Sequence, residues 1–200
     1  MKTDYPRMRV RPKSGSERFL KGEKELDLDL LGFWRWSASD LIANTGRGVL
    51  AEYIVANALG VADKLRADWD PFDLETLDGK SIEVKSSSYI QSWFQTKPSA
   101  ITFGIRQTQV WDPKTNQMEG EKKRHAQVYV FCLLAHKTQE TLNPLDLDQW
   151  EFYIVPTSVL DKECTTQKTI GLERVKSLAK AAVKYDQIAD AIAGLQTAKR

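Results

Sequence analysis

At 200 residues the chain is long enough to bury the core of one domain, and 42% hydrophobic with 28% charged residues is the composition of a soluble globular protein, not a disordered one. A net charge of +2 gives weak bulk attraction to nucleic acid, and the two cysteines, Cys132 and Cys164, are too few for a disulfide framework and lack metal-ligand spacing. No apolar run approaches the about 20 residues that span a bilayer, and no apolar stretch follows the basic N-terminal residues, so a cytoplasmic protein without signal peptide or membrane span is expected.

Residues 1–24 are polar and irregular and carry eight Lys/Arg (Lys2, Arg7, Arg9, Arg11, Lys13, Arg18, Lys21, Lys24) against Asp4, Glu17 and Glu23, which reads as a basic N-terminal arm ahead of a single domain over 25–200. Leu26 to Trp36 is apolar and aromatic and should pack on the body, its first half alternating with Asp27 and Asp29. Asn44-Thr45 offers an N-cap for a helix over Val49 to Leu59, stopped by Gly60. Two strand candidates follow, Phe72 to Leu77 and Ser81 to Ser86, joined by Asp78-Gly79-Lys80, a hairpin signal. A strand is expected near Ile101 to Arg106 and a loop around Trp111 to Gly120, followed by a basic cluster at Lys122-Lys123-Arg124. Gln127 to Ala135 is a near-continuous apolar run, as for a strand covered on both faces. Trp150 to Val155 is another strand, ended by Pro156. From Leu172 to Leu195 the apolar residues recur at helical spacing and predict one amphipathic C-terminal helix. The order of elements points to an α/β class, a central mixed sheet flanked by helices.

Chemistry concentrates between residues 52 and 85. Glu52 is the only charged residue between Gly48 and Gly60, and its helical neighbours Val49, Val55, Ala56 and Leu59 are apolar. A carboxylate there must be paired or neutralised, or hold a metal; a salt bridge to a core Lys or Arg is the plain alternative. In Ile82-Glu83-Val84-Lys85, strand alternation sends Glu83 and Lys85 to one face and Ile82 and Val84 to the other. Asp73 lies on the preceding strand, and the pleat sets a test. A two-residue turn at Asp78-Gly79 would put Leu74 opposite Glu83 and turn Asp73 away. A three-residue loop, Asp78 to Lys80, would pair Asp73 with Lys85 and Glu75 with Glu83. A shared site therefore demands an odd-numbered loop or a bulge. Asp70, just before Pro71, is the alternative to Asp73.

Carboxylates crowded in this way repel unless a cation joins them, and Mg²⁺ or Mn²⁺ takes carboxylate oxygens while keeping waters for a phosphate. A lysine beside the attacking water would stabilise developing charge. A structural ion-pair network with Lys85 is the competing reading. Beyond the set, Tyr89, Gln91 and Trp93 follow the second strand and are candidates to line a substrate cleft. Arg106 and Gln107, ending a strand, are candidate phosphate or base contacts. His125 and His136 have no partner at ligand spacing and read as structural.

Glu52, Asp73 and Glu83-Val84-Lys85, within GRGVLAEYIVANALG and WDPFDLETLDGKSIEVKSSSYIQSW, resemble the PD-(D/E)XK (restriction-endonuclease-like) nuclease superfamily, and in particular a group of uncharacterised bacterial members. The signature covers about residues 44–93, with its proline at Pro71 instead of next to Asp73. The resemblance implies a restriction-endonuclease-like core and a Mg²⁺-dependent DNA endonuclease. It implies that Asp73, Glu83 and the Val84 carbonyl ligate the metal. Lys85 would then act on the water, and Glu52 would hold metal through water. DNA is the expected partner, no membrane is, and a homodimer would suit cutting both strands at a symmetric site. The alternative function is a catalytically inactive nucleic-acid-binding or assembly domain of the same fold.

Overall fold

The structure, a computed structural model, describes residues 5, 8–66, 70–112 and 115–195. Lys2, Asp4 and Arg7 of the basic stretch, and residues 113–114 of the expected loop, lie outside the described residues. The chain divides into two compact units, Met1–Ser39 and Asp40–Arg200.

In the first unit, β1 (Arg18–Lys21) and β2 (Lys24–Asp29) pair antiparallel, so part of the stretch read as an irregular arm is strand, and residue 24 opens β2. Gly22 makes the turn at φ +65°. The Leu-Asp alternation of β2 ends where Asp29 caps α1 (Leu30–Ala38), its Oδ1 accepting from the Gly32 N–H at 2.7 Å.

The second unit begins with α2 (Asn44–Ala58), which starts earlier than expected. Asn44 is already helical and does not cap it. Asp40 Oδ1 takes the N–H groups of Ile42 and Ala43 instead, at 3.1 and 2.9 Å. Gly60, at φ +67°, ends the helix as its sequence suggests. The strands that follow are β3 (Leu74–Glu75), β4 (Ser81–Ser88), β5 (Thr102–Gly104), β6 (Thr108–Asp112), β7 (Gln117–Lys123), β8 (Val128–Leu134) and β9 (Trp150–Pro156). After them come α3 (Thr157–Glu163), β10 (Thr169–Gly171), α4 (Leu172–Ala179) and α5 (Ile188–Ala193).

The main sheet has the order β3-β4-β8-β9, with β4 and β8 parallel and both outer pairs antiparallel. All of β8 is buried, and its residues alternate between two cores. Val128, Val130, Cys132 and Leu134 face α2 and α5, where they meet Val55 and Ile188. Tyr129, Phe131 and Leu133 face α3, α4 and the β5–β10 pair, where they meet Phe103 and Leu160. Each fully buried aliphatic or Phe side chain of this kind contributes roughly 1.5–3 kcal/mol. The fold is therefore mixed α/β with helices on both faces of the sheet.

Two further expectations change. The segment around Trp111 to Gly120 is not a loop but most of the β6–β7 hairpin, with Asn116 and Gly120 taking positive φ values of 55° and 78°. The single C-terminal helix is instead two, α4 and α5, separated by Lys180 at φ 68° and by Val183, which bridges Phe152 on the outer edge of β9. Among the described residues, no helix is long and apolar enough to cross a membrane.

Candidate functional site

Three elements of the second unit converge at the β3 edge of the sheet. β3 is only two residues long because its pairing runs Leu74–Ile82 and Glu75–Ser81 and then enters the turn over Thr76–Lys80. Five residues lie between Glu75 and Ser81, an odd number, as a shared site requires. The loop is offset by one from the expected Asp78–Lys80, so Asp73 is not paired across from Lys85. Gly79 takes φ +84° in this turn, and the Thr76 N–H donates to the Lys80 carbonyl at 2.9 Å.

Asp73 lies just outside β3. Its N–H donates to the Ile82 carbonyl at 3.0 Å, one residue out of register, and its Oδ2 accepts the Val84 N–H at 2.7 Å. The carboxylate thus stands where a longer β3 would have supplied a main-chain carbonyl. A strand residue's N–H and C=O point to the same side, so the Val84 carbonyl faces this edge as well. Burial and the neighbouring Glu83 push the Asp73 carboxyl up to about 7, with Glu52 adding to the rise and Lys85 and the Val84 N–H opposing it.

β4 carries the other two groups. Ile82 and Val84 enter the core beneath α2, and Glu83 and Lys85 stand on the opposite face, as alternation requires. Lys85 Nζ lies 2.5 Å from Glu83 Oε1. Burial works against the ammonium, but Glu83, Asp73 and Glu52 outweigh it and hold Lys85 above its usual range.

Glu52 sits at the border of the buried face of α2 with its side chain 14% exposed. Its Oε2 accepts from Arg66 Nε at 2.6 Å and its Oε1 from Arg66 Nη2 at 3.3 Å. It has found the salt bridge that was its plain alternative, while remaining close enough to influence both Asp73 and Lys85. Arg66 lies in the loop after α2, and nothing in the sequence singles it out. Asp70 is exposed, outside β3, and lines the same cavity of about 360 Å³ as Glu52 and Asp73.

A second cavity, of about 540 Å³, opens on the Glu83–Lys85 side and is also lined by Arg106, Arg124, Tyr129 and Lys168. Arg106 is thus brought to the site. Gln107 is half-buried at the end of the same segment and does not line this cavity. Gln91 is buried with its amide in use inside the protein. Its Oε1 accepts from Arg47 Nη1 at 3.2 Å and its Nε2 donates to the Ser88 carbonyl at 2.8 Å. Trp93 is 52% exposed and lines neither cavity. His125 Nε2 meets the Thr108 carbonyl at 2.6 Å, and His136 Nε2 meets Thr141 Oγ1 at 2.7 Å.

Tyr129 was hidden within an apolar run. The parallel register pairs it with Glu83, and the same alternation that buries its ring turns its hydroxyl toward the second cavity. Burial, then Glu83, pushes its hydroxyl pKa up, so it stays a neutral donor.

As described, the residues present no preformed cluster of three His, Cys, Asp or Glu side chains around one point. Arg66 and Lys85 occupy Glu52 and Glu83 in place of such a cluster. The donors still fit a hard divalent cation. Asp73 lies within electrostatic reach of Glu83, the Val84 carbonyl faces the same edge, and Asp73 keeps its proton to near neutral pH in the absence of added positive charge.

A comparison with protein families gives a match over residues 7–174 to the family described as bacteriophage T4 endonuclease IV. A comparison with curated proteins finds no match.

Proposed function

The chain belongs to the bacteriophage T4 endonuclease IV family, a nuclease family, and from that premise we propose that it hydrolyses phosphodiester bonds of DNA at the Asp73–Glu83–Lys85 edge, in a site of the PD-(D/E)XK type. The observation that carries this reading is the Asp73 carboxylate held on the Val84 N–H, within electrostatic reach of a Glu83 that contacts Lys85.

Asp73, Glu83 and the Val84 carbonyl would hold Mg²⁺ or Mn²⁺. A bound divalent ion there supplies Lewis acidity toward the phosphoryl oxygen and a more acidic water. The chain's own residues do the rest. Lys85, kept protonated by the surrounding acids, donates to the attacking water and to the charge that builds on the phosphate. Glu83 orients Lys85 through their ion pair. Arg66 holds Glu52 in place through their ion pair. Two copies of the chain would cut both strands of a duplex at a symmetric site.

The test is cleavage of plasmid, linear and branched DNA with Mg²⁺ or Mn²⁺ by the wild type, Lys85→Ala and Asp73→Ala. Each variant should lose at least about 100-fold in rate, the scale of a positioned acid-base or charge-stabilising group. Equal cleavage by all three would sink the reading. The ion pairs on Glu52 and Glu83 favour a second reading, a nucleic-acid-binding domain without hydrolysis. Metal titration separates the two: the binding domain takes up neither Mg²⁺ nor Mn²⁺, whereas the nuclease takes up either and loses it in Asp73→Ala.

A further inference from the structure

The 540 Å³ cavity beside Glu83 holds more hydrogen-bond donors than the fold consumes. Arg124 is fully committed. Its Nη1 lies 2.6 Å from Asp161 Oδ1, and its Nε and Nη2 donate to the carbonyls of Ile105 and Cys164 at 2.8 and 2.9 Å. Lys85 is held by Glu83. Arg106 and Lys168 are different. Both are exposed, and neither has an ion pair among the described residues. Their backbones are nonetheless fixed, because the Ile105 N–H donates to the Lys168 carbonyl at 2.9 Å and continues the β5–β10 ladder.

Tyr129 supplies an independent observation. The residue is 3% exposed, and its ring stacks on Phe131 at 5.8 Å between centroids. Among the described residues its hydroxyl has no hydrogen-bond partner, and although the ring is buried the hydroxyl itself is not sealed off and stays free to meet a ligand. It opens into the cavity next to Glu83. Arginine and lysine can only donate, and a tyrosine hydroxyl donates readily, so this wall suits a ligand made of acceptors. Phosphate oxygens are such acceptors.

We propose that this cavity holds the phosphate backbone of the DNA strand being cut, with Arg106 and Lys168 neutralising phosphates that flank the scissile one and the Tyr129 hydroxyl donating to a non-bridging oxygen of the scissile phosphate. The proposal rests on the hydrolytic reading above and identifies where its substrate lies. Arg106 was a sequence candidate; Lys168 and Tyr129 come from the fold alone.

The experiment measures binding and cleavage separately, on the full chain. Binding of a labelled DNA oligonucleotide is followed by fluorescence anisotropy in EDTA over a range of salt concentrations, and cleavage is followed in Mg²⁺. Tyr129→Phe, Arg106→Gln and Lys168→Gln are compared with Lys122→Gln on the β6–β7 hairpin, and melting temperatures confirm folding. Arg106→Gln and Lys168→Gln should each weaken binding about tenfold and reduce the salt slope by about one. Tyr129→Phe should melt as the wild type does, weaken binding by a few-fold and lower kcat about tenfold or more. Lys122→Gln should change neither. If the wild type cleaves and Tyr129→Phe matches it, the tyrosine contact is overturned and the nuclease reading stands. If the wild type binds without cleaving and the cavity variants bind more weakly, the cavity is upheld and hydrolysis fails. Cavity variants that bind as tightly as the wild type, or a wild type that binds no DNA, overturn the proposal.

Discussion

Asp73 does two jobs with one carboxylate: it satisfies the Val84 N–H that the short β3 leaves open, and it sits within electrostatic reach of Glu83. The second job carries a cost that pH reveals. The carboxyl titrates near 7 in the folded protein and near 3.8 when unfolded, so between those values the folded state holds a proton that the unfolded state has lost. The stability this proton confers is complete below the unfolded value and disappears as pH rises through about 7. In metal-free buffer the melting temperature of the wild type should therefore fall between pH 5 and pH 8 relative to Asp73→Asn. Mg²⁺ added at pH 8 should restore it. Parallel profiles for the two proteins would contradict the shift. At this scale the sequence was most informative where geometry was binary. Whether Asp73 and Glu83 share a side depends on loop parity and on any bulge, so the odd loop was legible while its one-residue offset and the slipped bond at Asp73 were not. Arg66 and Tyr129 were illegible for opposite reasons. Arg66 sits in a loop without periodicity, and Tyr129 sits in a strand so apolar that its hydroxyl reads as incidental.

The C-terminal elements show how a correct pattern can describe the wrong object. The apolar spacing from Leu172 to Leu195 is helical throughout, yet Leu172 and Val175 pack on one face of the sheet while Ile188 and Ile192 pack on the other. Between them the chain must pass the edge of β9, and Val183 does so by exchanging two main-chain hydrogen bonds with Phe152 at 3.1 and 2.8 Å. The break has a signature in Lys180 at φ 68°, a conformation that glycine adopts without strain. A continuous helix and this arrangement predict opposite signs for one substitution. Lys180→Gly should stabilise the protein by about 0.5–1 kcal/mol in urea denaturation, whereas in a continuous helix it would destabilise by about 1 kcal/mol. The β6–β7 hairpin was missed for a simpler reason: every residue of β7 is exposed, so there is no buried face to write an alternating pattern into the sequence.

Across the second unit, cohesion is graded from β8 outward. β8 is covered on both faces and paired on both sides, so its amides are released only when the whole unit unfolds. Hydrogen exchange should be slowest at Val128–Leu134 and orders of magnitude faster along Gln117–Lys123. Comparable rates in the two segments would rule out this gradient. The apolar run of β8 made this layer legible from sequence, whereas the division at Ser39 followed no compositional shift. The two borders of the main sheet are also unlike each other. Beyond β9, the Val183 bridge and Lys184, whose Nζ donates to the Asp148 carbonyl at 3.1 Å, occupy the outermost strand. Beyond β4, β3 covers two residues and then stops. The bridge at Phe152 covers part of one border against edge-to-edge pairing, and on the other side the bare stretch is guarded by charge. The acids at this edge therefore also act as gatekeepers against aggregation.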